Sequence, residues 1–174
     1  MMNFIIYGKS GQGVHILTKL IGQSLFLSGL SVKDFALLEQ EKYGKPIVGY
    51  VAADNIDILS NDIVGNDYII IVDPTLNLTE IVKNADKNTI IIVNSKENIP
   101  ALKKALGKKH YIDATKIAME HLKRNQPNTV LLGAVIKLSN KITIKNAKRA
   151  IELEIDDKVK ENMESLEIGI KSVK

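Results

Sequence analysis

Six consecutive residues near the start of the chain, Gly8-Lys9-Ser10-Gly11-Gln12-Gly13, have the clearest chemical potential, and we call them the glycine turn. Its glycines allow positive φ angles and let another molecule approach the backbone closely. The apolar residues 3–7 precede the turn, and apolar residues at helical spacing follow it. Exposed N–H groups at the start of a helix favour anions such as phosphate. The pattern therefore predicts either an anion- or nucleotide-binding loop or a tight structural turn that packs on a neighbour.

Two nucleotide-binding motifs can be compared with the glycine turn, and neither matches. The Walker A motif, Gly-x-x-x-x-Gly-Lys-Ser, would end at Gly8-Lys9-Ser10, but Asn3 stands where its first glycine belongs. The dinucleotide motif, Gly-x-Gly-x-x-Gly, fails because Ile16 occupies the position of its last glycine. No apolar strand leads into Asp34, the nearest acidic residue that could bind a ribose. Dinucleotide binding and a dehydrogenase are therefore the least favoured interpretations.

Cysteine and histidine usage argues against metal or redox chemistry on this chain. The sequence has no cysteine, which excludes disulfides, a thiolate nucleophile and an iron–sulfur cluster ligated by the chain itself. His15, His110 and His121 lack the spacing of metal ligands. No nucleophile with a matching base, and no carboxylate pair, stands out. We therefore assign no catalytic and no metal-binding residue.

The charge of the chain is mildly positive, with a formal net charge of +4 and lysine outnumbering arginine 22 to 2. We interpret Lys103, Lys104, Lys108 and Lys109 as solvated surface, and the shortage of arginine and aromatic residues argues against nucleic-acid recognition. No apolar stretch approaches the ~20 residues of a membrane helix. The first residues have neither the basic segment nor the cleavage site of a secretion signal, so we expect a cytoplasmic protein.

Apolar periodicity predicts alternating strands and helices. Strands are expected at residues 3–7, 47–53, 67–72, 89–93 and 110–112. Two helices are expected to begin behind a capping residue: one follows Asn77 and runs to about residue 85, and one follows Thr143 and runs to about residue 154. Further helices are expected at residues 101–106 and 129–138, and helices of undefined end are expected to begin at Val14, Ala114 and Val159. This order predicts an α/β fold with a three-layer, mostly parallel sheet flanked by helices, additional C-terminal helices, and a single domain over residues 1–174.

Four segments of the sequence, taken in order, resemble landmarks of one family. Gly11-Gln12-Gly13-Val14 resembles the Gly-Gly-Gln-Gly-Val signature of gamma subunits in the 2-oxoacid:ferredoxin oxidoreductase family. Residues 41–48 resemble the family's Glu-x-Arg-Gly-Gly-x-x-Val stretch, and residues 67–74 resemble its buried strand that ends near an acidic residue. Residues 127–134 resemble its helix that begins Asn-x-x-x-Leu-Gly-Ala. Because the four landmarks span nearly the full chain, the sequence is identified as similar to a gamma subunit.

The resemblance implies a role within a larger enzyme. The family decarboxylates a 2-oxoacid on thiamine diphosphate, forms an acyl-CoA and passes electrons through iron–sulfur clusters to ferredoxin. The resemblance places these cofactors on partner subunits named alpha, beta and delta, and it implies a three-layer α/β gamma subunit that lines the approach of coenzyme A. On this interpretation the chain alone binds no cofactor and is inactive, contacts ferredoxin only indirectly, and can form a homodimer when expressed without its partners.

The resemblance also selects the residues expected at a shared coenzyme A site. They are Gly8, Lys9, Ser10, Gly11, Gln12, Gly13, Lys42, Gly44 and Lys45. The backbone amides of Gly11, Gln12 and Gly13 are expected to be presented there, and the Gln12 side chain can donate or accept a hydrogen bond toward the coenzyme A channel or the alpha subunit. The chain departs from the family pattern at Ser10, which replaces the first glycine of the signature, and at Tyr43-Gly44-Lys45, which replaces Arg-Gly-Gly. A tyrosine cannot reproduce the bidentate anion contact of arginine, so that contact is lost unless Lys42 or Lys45 substitutes. The departure is consistent with a different substrate class or with an interface that differs from the one the arginine serves in the family.

A second interpretation is a stand-alone regulatory module that binds a nucleotide or coenzyme A through the glycine turn. It predicts ligand binding by the isolated chain, whereas the subunit interpretation predicts weak or absent binding until partner subunits complete the site. The subunit interpretation further requires that the chain's own C-terminal helices leave the glycine turn open.

Overall fold

A mixed β-sheet lies at the centre of the computed structural model, which describes residues 1–38, 46–58 and 65–174. Its strands in these residues are β1 (Met2–Lys9), β2 (Ser31–Leu38), β3 (Pro46–Asp54), β4 (Tyr68–Ile71), β5 (Ile90–Asn94) and β6 (Lys108–Ile112), in the spatial order β2-β3-β1-β4-β5-β6. The pairings β1–β4, β4–β5 and β5–β6 are parallel, whereas β3 is antiparallel to both β1 and β2. The expected α/β fold with a mostly parallel sheet is confirmed.

Helices cover the two faces of the sheet unequally. They are α1 (Val14–Phe26), α2 (Leu78–Ile81), α3 (Ala114–His121), α4 (Asn128–Ser139), α5 (Ile144–Glu154) and α6 (Val159–Ser172). α1 and the C-terminal helices α3 to α6 share one apolar core with Phe4, Ile70 and Ile92 of the sheet. α2 and a 3-10 turn at Pro100–Leu102 cover part of the opposite face. The three layers and the additional C-terminal helices are thus as expected, and no helix in the described residues has the length and apolarity needed to cross a membrane.

The strands β4 and β5 show why an uninterrupted apolar run forms a central strand. Ile70 and Ile92 face the core that contains α1, whereas Ile69 and Ile91 face the core that contains α2, and all of them are fully buried. Because successive side chains point to opposite faces, a strand covered on both sides must be apolar at every position. Burial of each such side chain contributes about 1.5–3 kcal/mol.

Some predictions of local structure are wrong. The strand β2 was not expected, because Lys33 and Asp34 interrupt its apolar pattern, yet it pairs with β3 along its whole length. Asp34 lies within this strand, and its carboxylate packs against Gly22 of α1, where an added Cβ would lie 3.0 Å away. It does not sit at the end of a strand, where a ribose-binding acid would. The helix expected at 101–106 is only the 3-10 turn, and α2 ends at Ile81.

Helices α4 and α6 pack with their backbones in contact. A Cβ atom at Gly133 would lie 2.3 Å from the carbonyl oxygen of Leu166, and a Cβ atom at Gly169 would lie 2.1 Å from that of Val130. Only glycine permits this approach. The glycine of the fourth landmark, Gly133, therefore serves the packing of the C-terminal helices onto the core.

Candidate functional site

The loops that follow the parallel strands meet at one edge of the sheet. β1, β4, β5 and β6 run in the same direction, so their carboxyl ends lie side by side. The chain leaves β1 toward β2 and β3 on one side, and β4 to β6 extend on the other side. In open α/β sheets, ligands bind at the carboxyl edge where the strand order reverses in this way. Here that position lies between the glycine turn and the loop after β4.

The glycine turn leads directly from β1 into α1. The N–H of Gln12 donates to the carbonyl of Lys9 at 3.2 Å, and Gly11 and Gly13 have φ angles of 86° and 78°. Gly13 is the N-cap residue of α1, and no side chain caps the helix. The first-turn N–H groups of a helix have no partner within it, so this end of α1 presents a partial positive charge.

The Gln12 side chain joins the glycine turn to the loop after β4. Its Oε1 accepts from the N–H of Lys9 at 2.7 Å, and its Nε2 donates to Asp73 Oδ2 at 2.9 Å. Both ends of the amide are therefore bonded within the chain, and Gln12 also lines the cleft beside the turn. The turn can offer a ligand its backbone N–H groups and the second hydrogen of the Gln12 amide.

Asp73 is the centre of this network. Its Oδ1 accepts from the N–H of Thr75 at 2.8 Å and from the Thr75 hydroxyl at 2.7 Å, and the Lys9 Nζ lies 3.1 Å from its Oδ2 and also bonds to the Thr75 hydroxyl. Burial acts to raise the pKa of Asp73, but the hydrogen bonds from Thr75, Gln12 and Lys9 outweigh it and lower the pKa below its ordinary value. Asp73 is therefore ionised at neutral pH, and Lys9 neutralises it.

A cleft of about 170 Å³ opens beside this network. It is lined by Gln12, Val72, Asp73, Pro74, Asn94, Asp113, Thr115, Asn125 and Pro127. The Asn94 Nδ2 donates to the Val72 carbonyl at 2.9 Å and to the Thr115 hydroxyl at 2.8 Å, while its Oδ1 accepts from the Thr115 N–H at 3.1 Å. The Asp113 carboxylate caps α3. Asn94 and Thr115 bond to each other and Asp113 bonds to its own helix, so these groups hold the loops in place. None of them is arranged as a nucleophile with its base.

The strand β1 carries two titratable side chains, Lys9 at its end and Tyr7 two residues before. Burial, and to a lesser degree the neighbouring Tyr50, raises the pKa of Tyr7 to about 12. Its phenol stays protonated at neutral pH and cannot serve as a general base there. In the described residues, no group of three or more histidine, aspartate or glutamate side chains could hold a metal ion.

Two of the family landmarks meet at the glycine turn. A Cβ atom at Gly13 would lie 3.0 Å from the Asn128 Nδ2 at the start of α4, so the turn and the fourth landmark are in direct contact. Asn128 is buried, whereas Gly11 on the outer side of the turn is exposed. α4 thus supports one side of the turn and leaves the other side open, as the subunit interpretation requires.

The expected site residues fall into four groups. Lys9 forms the first, because its ammonium group is held by Asp73 and Thr75. Ser10, Gly11, Gln12 and Gly13 form the turn at the carboxyl edge, where they were expected. Gly8 is buried in β1, where an added Cβ would lie 2.5 Å from the Val14 side chain, so it serves packing. Lys42, Gly44 and Lys45 lie outside the described residues.

Sequence reasoning missed the polar residues of the cleft. The missed residues are Asp73, Thr75, Asn94, Asp113, Thr115 and Asn125. A signal for them was present, since Asp73, Asn94 and Asp113 are the first polar residues after the apolar parts of β4, β5 and β6. Parallel strands bring such residues to one edge.

Comparisons with known proteins agree on one family. The model of the family described as pyruvate ferredoxin/flavodoxin oxidoreductase matches residues 3–172. The Pyruvate/ketoisovalerate oxidoreductases common subunit gamma of Pyrococcus furiosus is 31% identical over 158 residues, which cover 87% of this chain and 85% of that protein. The Pyruvate synthase subunit PorC of Methanosarcina barkeri is 30% identical over 154 residues, which cover 87% of this chain and 85% of that protein.

Solved structures share the fold. The pyruvate oxidoreductase subunit PORC of Thermotoga maritima superposes with a TM-score of 0.87 at 23% identity, covering 99% of this chain and 97% of that one. The 2-oxoglutarate:ferredoxin oxidoreductase of Magnetococcus marinus, solved with 2-oxoglutarate, coenzyme A and succinyl-CoA bound, gives a TM-score of 0.81 at 17% identity and covers 98% of this chain and 30% of that one. These proteins are oxidoreductases or their subunits, so the comparisons give no support to a stand-alone regulatory module. The chain belongs to the pyruvate ferredoxin/flavodoxin oxidoreductase family, as a gamma subunit of its multi-subunit complexes.

Proposed function

We propose that this gamma subunit assembles with alpha, beta and delta subunits and that its glycine turn lines the approach of coenzyme A. The assembled enzyme would oxidise a 2-oxoacid to an acyl-CoA and reduce ferredoxin, with thiamine diphosphate and iron–sulfur clusters held by the partner subunits. The chain acts as one gamma-type domain over residues 1–174 in the cytoplasm, has no catalytic centre of its own and is inactive alone.

The observation that carries this proposal is the uncapped start of α1 at the glycine turn. No side chain caps this helix, and its first turn contains no acidic residue. The carboxylate of Asp73 behind the turn is neutralised by Lys9. A phosphate group at the turn therefore meets backbone N–H donors and the positive end of the helix dipole.

The size of the cleft supports a site that is shared with partner subunits. Its volume of about 170 Å³ is below the ~300–1,000 Å³ typical of pockets that enclose a small molecule. A molecule as long as coenzyme A can therefore touch this chain with only one part. Other polypeptides must surround the rest, which is why we expect the isolated chain to bind it weakly. Lys42, Gly44 and Lys45 remain candidates for further contacts.

The substitution Ser10→Asp tests the proposal in the assembled complex. It places a carboxylate at the open side of the turn, near the anion position, where it also favours the helix dipole and so does not threaten the fold. We expect the KM for coenzyme A to rise roughly tenfold because like charges repel across a few ångströms. The assay follows reduction of a viologen dye by the complex with pyruvate or 2-oxoisovalerate, the substrate class named for the relatives.

Ser10→Ala is the matched control, since it removes the hydroxyl without adding charge. Its KM for coenzyme A should stay near the wild-type value, and the KM for the 2-oxoacid should be unchanged in both variants. Equal KM values for coenzyme A in Ser10→Asp and Ser10→Ala would show that the turn does not line its path. A large thermal shift of the isolated chain on adding coenzyme A would instead favour a stand-alone binding module.

A further inference from the structure

One short segment of the chain is rich in lysine. Residues 96–109 contain five lysines and one glutamate, a net charge of +4, which equals the formal net charge of the whole chain. The lysines are Lys96, Lys103, Lys104, Lys108 and Lys109. A second basic stretch, residues 137–149, carries a net charge of +5, but two of its cations, Lys148 and Arg149, pair with Glu167 and Glu152. Residues 96–109 therefore form one of two basic stretches, and their charges create a local positive field.

These lysines have no acidic partner among the residues that the structure describes. The ion pairs there use other cations. Lys109 is half-buried, and its ammonium group donates to the carbonyl of Ala105, while the other four lysines are exposed. Clustered like charges repel one another and slightly destabilise the folded state. A counter-charge from outside the chain would relieve this repulsion.

A groove of about 670 Å³ runs through this segment between the 3-10 turn and β6. Ile99, Pro100 and Tyr111 give it apolar surface, and Lys103 and Lys109 place positive charge along it. Lys109 and Tyr111 point to the same face of β6 because they are two residues apart on a strand. We call this surface the basic groove.

The basic groove borders a strand edge with unused backbone groups. β6 is the outermost strand of the sheet on this side. The N–H of Lys108 donates to the carbonyl of Thr89 beside β5, whereas Tyr111 exchanges both of its backbone hydrogen bonds with Lys174 on the outer side, at 3.3 and 3.4 Å. Since backbone groups alternate in direction along a strand, those of Lys109 also point outward. No described residue bonds to them.

We propose that the basic groove binds an extended acidic segment of a partner subunit. The segment pairs with the outward N–H and carbonyl of Lys109, as in strand addition to a sheet edge, and sets its carboxylates against Lys103 and Lys109. That the acidic segment belongs to another subunit rests on the assembly proposed above. The same lysines repel those of a second copy of the chain, so two β6 edges do not pair with each other. The same positive charge favours an acidic strand as the partner.

Carbodiimide cross-linking of the native complex identifies the occupant. This reagent joins a lysine amine to a carboxylate only when the two are in contact, and mass spectrometry locates the joined residues. We expect cross-links from Lys103 or Lys109 to aspartate or glutamate of another subunit. The internal comparison is Lys145 and Lys160, which are exposed and lie far from the groove along the chain. Neither has an ion pair with a residue that the structure describes. The proposal is overturned if Lys103 and Lys109 give no more links to other subunits than these two.

Charge reversal measures the strength of the contact. Binding of the Lys103→Glu/Lys109→Glu double variant to the complex of the other subunits should weaken roughly tenfold at about 0.1 M salt. The loss should shrink at about 1 M salt, where the Debye length is about 3 Å. Lys145→Glu/Lys160→Glu carries the same change in net charge and should bind as the wild type does.

The outcomes separate this inference from the proposed function. If the wild-type chain binds no partner subunit, the proposed assembly itself fails. If the wild type binds and both double variants bind equally well, or weaken equally, the basic groove is not the contact and the assembly stands.

Discussion

At the carboxyl edge beside β1, Lys9, Gln12 and Asp73 satisfy one another, whereas the lysines of the basic groove have no acidic partner in the described part of the chain. Polar groups that are bonded within the chain fix a shape, and few of their donors are left for a ligand. Charges without partners contribute little to the fold and are available to another molecule. The difference predicts that substitutions at the first region act on stability and those at the second act on association.

The largest loss of stability is expected for Asp73→Ala. This change removes a buried acceptor and leaves the donors of Lys9, Gln12 and Thr75 without it. Because Lys9 is partly exposed, we expect the free energy of unfolding to fall by only about 3 kcal/mol. Denaturant titration of the isolated chain measures it. The exposed Asp156→Ala is the control and should be neutral. Equal stabilities of the two variants would mean that the network does not hold the loops.

Backbone strain gives the next largest effect, at Gly13. Gly13→Ala forces an L-residue to a φ of 78° and brings its Cβ to 3.0 Å from Asn128, so we expect a loss of about 2 kcal/mol. Gly11→Ala is the matched variant, since its φ is 86° but no atom lies within 4 Å of the added Cβ, and it should lose only about 1 kcal/mol. If both variants lose the same amount, the contact between the turn and α4 contributes nothing.

The pH dependence of stability offers a smaller test of the same network. The pKa of Asp73 is lower in the folded chain than its ordinary value, so the stabilisation is complete above pH ~4 and is lost as pH falls through the folded pKa. Asp73→Asn cannot ionise and should lie about 1.5 kcal/mol below the wild type at neutral pH. That gap should narrow on acidification in unfolding curves recorded between neutral pH and pH ~3. A gap that stays constant would contradict an ionised, hydrogen-bonded Asp73 in the wild type.

The sequence predicts those elements of the fold whose pattern lies within a short run of neighbouring residues. The apolar runs of β4 and β5 and the caps Asn77 and Thr143 are local patterns, and the structure contains them where expected. The strand β2 is held by pairing with β3, which no pattern within β2 reveals.

The candidate site shows the same limit. The glycine turn could be located because its residues are contiguous, but the bond from Gln12 to Asp73 joins residues 61 positions apart. Lys103 and Lys109 read as ordinary solvated residues in the sequence, and only the fold places them along one groove with Tyr111. Contacts that depend on the packing of distant segments were the ones that sequence reasoning missed.

The smallest effect on stability is expected at the basic groove. Lys103→Glu/Lys109→Glu removes no ion pair and only one hydrogen bond to a carbonyl, and it lowers the local density of positive charge. The free energy of unfolding of the isolated chain should therefore stay within about 0.5 kcal/mol of the wild-type value, or rise slightly. Thermal and denaturant unfolding check this result. A loss as large as that of Gly13→Ala would mean that these lysines support the fold, and the contrast between the two regions would then disappear. Unchanged stability with weakened binding to the partner subunits would instead separate the two roles within one molecule.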